Sequence, residues 1–206
     1  MSETCDIAIV GGGAVGSAIA YFLLNDPGFK GRVAVVERDP TYARASSALS
    51  ASSIRQQFST PENIHLSRFG FAFLGDIRRH LDTGDPIELG LREGGYLYLA
   101  APGHEAVLRE NHAVQRAEGA AVALLAPAEL RVRFPWLETA GVALGSLGLA
   151  GEGWFDGYGL MQAFRKKARA LGARYIQAEA VGLALAGRRV AAVVLGDGTR
   201  LNCGTL

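Results

Sequence analysis

Apolar residues along this chain fall into two patterns. Ile7 to Val10 and Val33 to Val36 are short unbroken apolar runs, the mark of strands buried on both faces. From Ala14 onward the apolar positions follow a helical period, which Asn25 and Pro27 end. Glycines 11, 12, 13 and 16 stand between the first strand and the helix. The opening is therefore a strand–turn–helix–strand unit. A membrane span needs about 20 predominantly apolar residues without such a break. No Lys or Arg precedes the run, as a signal peptide would require.

Beyond Glu37 the pattern changes. The stretch over 38–63 is rich in Ser and Ala and has no clean period, as in a long functional loop. A helix is expected over 64–81, capped by Asn63, with Ile64, Phe69, Phe73, Ile77 and Leu81 along one side. The segment 87–100 reads as two strands around Glu93-Gly94-Gly95. A polar-faced helix is expected over 103–118, a short helical turn before Pro135, and a strand and loop over 141–157. A helix over 158–171 leads into the strand "RYIQ". Strand-like runs over 180–186, 189–195 and from 199 onward, with turns at Gly187 and Asp197-Gly198, form a β-meander.

The glycine turn carries the chemistry. Gly11-x-Gly13-x-x-Gly16 has the spacing of a dinucleotide-binding turn and lies between strand and helix, where that turn must be. Gly11 permits the tight turn, Gly13 lets a pyrophosphate approach the backbone, and Gly16 lets helix and strand pack closely. The helix N-terminus offers unpaired N–H groups to phosphate. Glu37 ends the next strand, 21 residues past Gly16, where an acid accepts hydrogen bonds from a ribose diol. The same acid disfavours a 2′-phosphate and so NADP. A βαβ unit that binds no nucleotide is the plain structural alternative.

Composition narrows the rest. With 206 residues, 49% hydrophobic and 20% charged, the chain is an ordinary globular protein of one large or two small domains. A net charge of +1 implies no nucleic-acid partner. Arg165, Lys166, Lys167 and Arg169 read as a solvated helix face. Cys5 and Cys203 form no disulfide framework, which suits a reducing cytoplasm, and both read as buried free thiols. His65, His80, His104 and His112 lack metal-ligand spacing and read as structural; no metal is expected. "TRLNCGTL" stops inside an apolar run, so the expectation is the N-terminal part of a longer polypeptide.

These residues together resemble the FAD-dependent oxidoreductases of the D-amino-acid oxidase type, within them the sarcosine oxidase, glycine oxidase and dimethylglycine dehydrogenase group. The likeness covers nearly the whole chain. It is carried by "DIAIVGGGAVGSAIAYFL" with "VAVVERD", by "ARASSALSASSIRQQFSTPENIHLSRFGFAFL", which is similar to the mammalian FAD-dependent oxidoreductase domain proteins, and by "GWFDGYGLMQAFRKKARALGARYIQAEAVGLAL". The fold class it implies is α/β: a Rossmann-like FAD-binding domain with a β-meander, plus part of an antiparallel-sheet substrate domain. The FAD-binding domain would be discontinuous, over 1–80 and 151–206, with the first part of the substrate domain over 81–150.

By this resemblance the cofactor is FAD. Gly11, Gly13, Ala14, Val15 and Gly16 match the pyrophosphate turn, and Glu37 and Arg38 match the ribose acid and its neighbour. Ser46 and Ser47 match residues that bond the flavin's phosphate and ring system, or else they cap a turn. Val181 matches a position whose backbone contacts adenine, or is only a strand residue. Arg55, in "SSIRQQF", matches an arginine that faces the substrate carboxylate in the sarcosine oxidase branch. A planar guanidinium suits that task, because it binds a carboxylate bidentately; an ion pair with a nearby acid is the structural alternative. Where several relatives carry His or Arg just before this arginine, the chain has Ala48, Ser50, Ala51 and Ser52. That excludes a histidyl–FAD bond in this segment.

The implied reaction is oxidation of the C–N bond of an amino acid, or of a secondary or tertiary amine carrying a carboxylate, by hydride transfer to flavin. The expected partner is that small molecule, with no membrane span and a cytoplasmic location. Two rivals remain open. A non-catalytic flavoprotein acting as an assembly factor would keep the same cofactor site. An NAD-linked dehydrogenase would share the Gly11-to-Glu37 unit but continue as alternating strands and helices, which the Ser-rich loop and antiparallel runs do not do.

Overall fold

A computed structural model of the chain describes residues 3–206. The glycine turn joins strand β1 (Glu3–Val10) to helix α1 (Ala14–Asn25), and β2 (Val33–Glu37) follows. The long Ser-rich stretch is ordered by two short elements, α2 (Ser46–Leu49) and β3 (Ser53–Ile54). The helix expected over 64–81 is two helices, α3 (Pro61–Gly75) and α4 (Ile77–Leu81). Its N-cap is Thr60 rather than Asn63, because Pro61, with φ already fixed, occupies the first turn. Phe69 lies on its exposed side, while Ile64 and Phe73 are buried.

Of the two strands expected around 93–95, only the second forms, as β4 (Leu97–Ala100). The first half makes a single antiparallel bridge, Arg92 to Trp154. There follow α5 (Glu105–Ala117), β5 (Val122–Leu125), α6 (Pro127–Arg133), β6 (Leu144–Gly148) and β7 (Gly153–Trp154). The chain then runs through α7 (Gly157–Ala170), β8 (Arg174–Gln177), β9 (Ala180–Ala186), β10 (Arg189–Leu195) and β11 (Arg200–Thr205).

The chain divides into two compact units. The first comprises Met1–Ser50, Arg78–Leu89 and Asp156–Leu206. Its six-stranded sheet has the order β8-β2-β1-β11-β10-β9. Strands β8, β2, β1 and β11 are parallel, and β9, β10 and β11 form the antiparallel meander. Cys5, Ala8, Ala34, Val36, Val193 and Leu201 form a buried apolar cluster within the sheet. Small residues facing each other, such as Ala8 paired with Ala34, keep that cluster tight. Helix α1 packs against α7, with the Tyr21 and Phe164 rings 5.5 Å apart.

Cys5 and Cys203 are register partners on β1 and β11; Cys5 is buried, but Cys203 is only half-buried. Both are free thiols, and burial pushes both thiol pKa values up. The basic run on α7 is not a uniformly solvated face. Arg165 is half-buried over the rings of Tyr42 and Tyr175, and Arg169 lies over Tyr175 at 4.8 Å.

The second unit comprises Ala51–Ile77 and Gly90–Phe155. It holds the antiparallel sheet β4-β6-β5 and the two-stranded ribbon of β3 and β7. Ile64, Ala120 and Val122 form its small apolar centre, with Phe58 and Val114 packed against them. Among the described residues no helix is long and apolar enough to cross a membrane.

Candidate functional site: the glycine turn and the Arg55 cavity

In the first unit, the carboxyl ends of β1 and β2 open into a cleft of about 350 Å³. Crevices at that end of a parallel sheet are where such folds bind ligands. Gly11, Glu37, Arg38 and Ser46 all line it. Gly11 has φ +95°, a left-handed conformation that glycine adopts without strain, and its N–H donates to the Val36 carbonyl at 2.8 Å. At Gly16 a Cβ would be driven into the carbonyl oxygen of Gly11, so the close approach of helix and turn demands glycine.

Gly13 is different. A Cβ there would meet only the Ser47 hydroxyl, at an ordinary 3.7 Å. Packing within the chain does not require glycine at this place, whereas a ligand lying against the backbone would. Gly13 is also the N-cap of α1, and no side chain caps the first turn, where Ala14 and Val15 stand. Backbone donors are therefore free for an anion.

Glu37 holds the turn from the other side. Its Oε2 accepts the Gly12 N–H at 2.8 Å, and its Oε1 accepts the Asp39 N–H at 2.8 Å. Each oxygen retains a second lone pair for a ribose hydroxyl. Arg38 pairs with Glu179 at 3.6 Å at the exposed rim. Ser47 donates to the Met161 sulfur at 3.3 Å. Val181 is 59% exposed and lies one residue beyond Ala180, the last residue of the cleft wall.

Several supporting residues carry no signal in the spacing. Ser17 donates to the Gly12 carbonyl at 2.7 Å and accepts from the Tyr175 hydroxyl at 2.9 Å, bracing the turn from behind. Tyr42 is buried in the cleft wall with φ +57°, and its hydroxyl has no partner among the described residues. Burial pushes its pKa above the ordinary tyrosine value, opposed by the nearby Arg165. No cluster of His, Cys, Asp or Glu able to hold a metal occurs among the described residues.

Arg55 belongs to the second unit. It is half-buried, with its guanidinium carbon 4.7 Å over the Phe58 ring and its buried Nε unpartnered. No carboxylate pairs with it among the described residues. It lines a cavity of about 270 Å³ together with Gln57, Tyr98, Asn111, Gln115 and Ser146. Sequence reasoning missed Glu152, which is fully buried and accepts hydrogen bonds from the two residues following Arg55. A lone acid in the glycine-rich "AGEGW" gives no hint of that role.

Over residues 6–204 the chain matches the DAO family, described as FAD dependent oxidoreductase. It belongs to that family. The chain is 46% identical over 192 residues to "FAD-dependent oxidoreductase domain-containing protein 1" of Xenopus laevis, covering 91% of this chain and 38% of that relative. It therefore spans well under half the length of that curated relative. Among solved structures it resembles L-proline dehydrogenase from P. horikoshii, with a TM-score of 0.82 at 23% identity, over 100% of this chain and 53% of the other. Glycine oxidase from Geobacillus kaustophilus gives a TM-score of 0.77 at 23% identity, over 98% and 54%. At that identity the two structures establish the DAO-type fold.

FAD is the cofactor of this family, and the turn fits it. The open face of Gly13, the uncapped start of α1 and the spare acceptor capacity of Glu37 suit a pyrophosphate and a ribose.

Proposed function

We propose that the protein oxidises the C–N bond of an amino acid, or of a secondary or tertiary amine bearing a carboxylate. Arg55 would bind that carboxylate. The observation carrying this reading is the state of Arg55: a guanidinium with no acidic partner among the described residues, held over Phe58 in the wall of a cavity of about 270 Å³. A half-buried guanidinium whose buried Nε has no partner is suited to a ligand that supplies the anion. The names of similar proteins, glycine oxidase and L-proline dehydrogenase, point to substrates with the same amine–carboxylate pairing.

Bound there, FAD would supply the acceptor for the hydride leaving the carbon beside the amine, and the oxidised C=N bond would be left for water to hydrolyse. The chain's own residues bind and orient. Gly13, the first turn of α1 and Glu37 would hold the cofactor's diphosphate and ribose. Arg55 would fix the substrate carboxylate, and with it the reacting carbon, which converts binding into rate. No acid–base pair is needed in this scheme beyond the amine itself, entering as the free base.

The test is an absorption spectrum of the purified full-length protein under anaerobic conditions, before and after adding sarcosine, glycine and L-proline. Bleaching by a carboxylate-bearing amine, but not by its decarboxylated counterpart, is the expected result. A flavin that no member of the panel bleaches would favour the assembly-factor reading.

A further inference from the structure

Glu152 lies between β6 and β7 with no exposure to solvent. Charged groups are buried at heavy desolvation cost, tolerated when every lone pair is satisfied. Here they are. Oε1 accepts the Gln56 N–H at 2.6 Å and the Gln57 N–H at 3.1 Å. Oε2 accepts from Gln57 Nε2 at 3.0 Å and from the Tyr96 N–H at 3.1 Å. The chain makes room for this carboxylate with glycine: a Cβ at Gly148 would run into it.

The bonds continue outward. The Ser146 hydroxyl donates to Gln57 Oε1 at 2.7 Å, Gln57 Nε2 also donates to the Tyr96 carbonyl at 3.0 Å, and Gln56 Nε2 donates to the Gly151 carbonyl at 3.0 Å. Gln57 and Ser146, both in this network, are walls of the cavity that Arg55 lines. The two N–H groups received by Oε1 belong to consecutive residues. Gripping both fixes the peptide plane between them, and with it the direction in which the chain leaves Arg55. A residue needed only to fill this volume could be apolar and avoid the cost of burying charge.

We propose that Glu152 is a positioning residue for Arg55. Its buried carboxylate sets residues 56–57 and the Gln57–Ser146 wall, and through them holds the Arg55 guanidinium ready for a ligand carboxylate. The inference rests on the reading of Arg55 as the carboxylate clamp.

The test uses the full-length FAD-loaded protein and two pairs of probes: sarcosine with dimethylamine, and L-proline with pyrrolidine. Calorimetric affinity for each amino acid relative to its decarboxylated amine gives a carboxylate preference. That ratio is measured in the wild type, Glu152→Gln, Arg55→Ala and the double variant, alongside the melting temperature of each. In Glu152→Gln an amide N–H faces donors where an oxygen accepted them. It should lower the carboxylate preference about tenfold, the size expected for loss of a hydrogen bond to a charged group. In the Arg55→Ala background it should not change the preference, while the melting temperature falls in both backgrounds.

A folded Glu152→Gln protein with the wild-type preference overturns the proposal, and so does an equal loss with and without Arg55. If Glu152→Gln does not fold, Gln57→Met removes one bond to the carboxylate. It too should cost about tenfold in preference, and no change there overturns the proposal. Should the wild type show no carboxylate preference, or Arg55→Ala keep it, the clamp reading itself fails, a result distinct from failure of Glu152 alone.

Discussion

In the proposed reading the glycine turn and the Arg55 segment would each hold an anionic group, and they are built for it by opposite means. The turn is built from backbone within 27 residues of sequence, from Gly11 to Glu37. What makes it work is the absence of side chains at Gly13 and Gly16 and one acid at a set distance. The Arg55 segment is built from side chains whose partners lie far along the chain, such as Gln56 and Gln57 on Glu152. The first is a local device that many chains can share. The second is private to this packing, and a change in any of its members should be felt at Arg55.

Substitutions at four positions in the full-length protein test this contrast. The largest effect is expected from Arg55→Ala. Truncating one partner of a buried charge pair costs about 2–5 kcal/mol, or roughly thirty-fold to several-thousand-fold in catalytic efficiency. Arg55→Lys should recover only part, because it keeps the charge but loses the planar fork. Steady-state kinetics on the best amine of the panel reads this directly, and wild-type efficiency in Arg55→Ala would end the clamp reading.

Glu37→Ala should weaken FAD binding by about 1.5–3 kcal/mol, the range for a hydrogen bond to a charged group. Flavin retained on gel filtration after dilution, at the wild-type level, would count against Glu37 as the ribose acid. Gly16→Ala should cost about 1–3 kcal/mol of fold stability even without flavin, since its Cβ meets the Gly11 carbonyl and the helix must shift. Denaturant melts of the apoprotein measure it. Gly13→Ala should be the mildest on the fold, within about 0.5 kcal/mol, because its Cβ meets only ordinary contact. Its effect should instead appear as weaker FAD binding in a flavin titration. A Gly13→Ala apoprotein as damaged as Gly16→Ala would erase the distinction between the two glycines.

The same contrast explains what the sequence discloses. Ala14–Asn25 and Val33–Glu37 form where the apolar periods place them, because helix and buried strand are set by local pattern and by the breakers Asn25 and Pro27. The meander strands are similarly legible. The helix over 61–81 is not, since Pro61 moved its start and the chain breaks at Asp76. The strand expected before Glu93 fails because it finds only one bridge, at Arg92, and strands need partners that periodicity does not name. Glu152 and Tyr42 are illegible for a further reason: each matters through contacts that only the fold creates.

The most direct test sets Glu37→Ala beside Arg55→Ala in the full-length protein and measures two quantities in each. These are the flavin content after gel filtration and the rate of anaerobic flavin reduction by a carboxylate-bearing amine, per flavin bound. A crossed result is expected. Glu37→Ala loses flavin, but the flavin it keeps is reduced at close to the wild-type rate; Arg55→Ala keeps its flavin and reduces it far more slowly. An Arg55→Ala protein that sheds its flavin, or reduces what it holds at the wild-type rate, would show that Arg55 is not the carboxylate clamp.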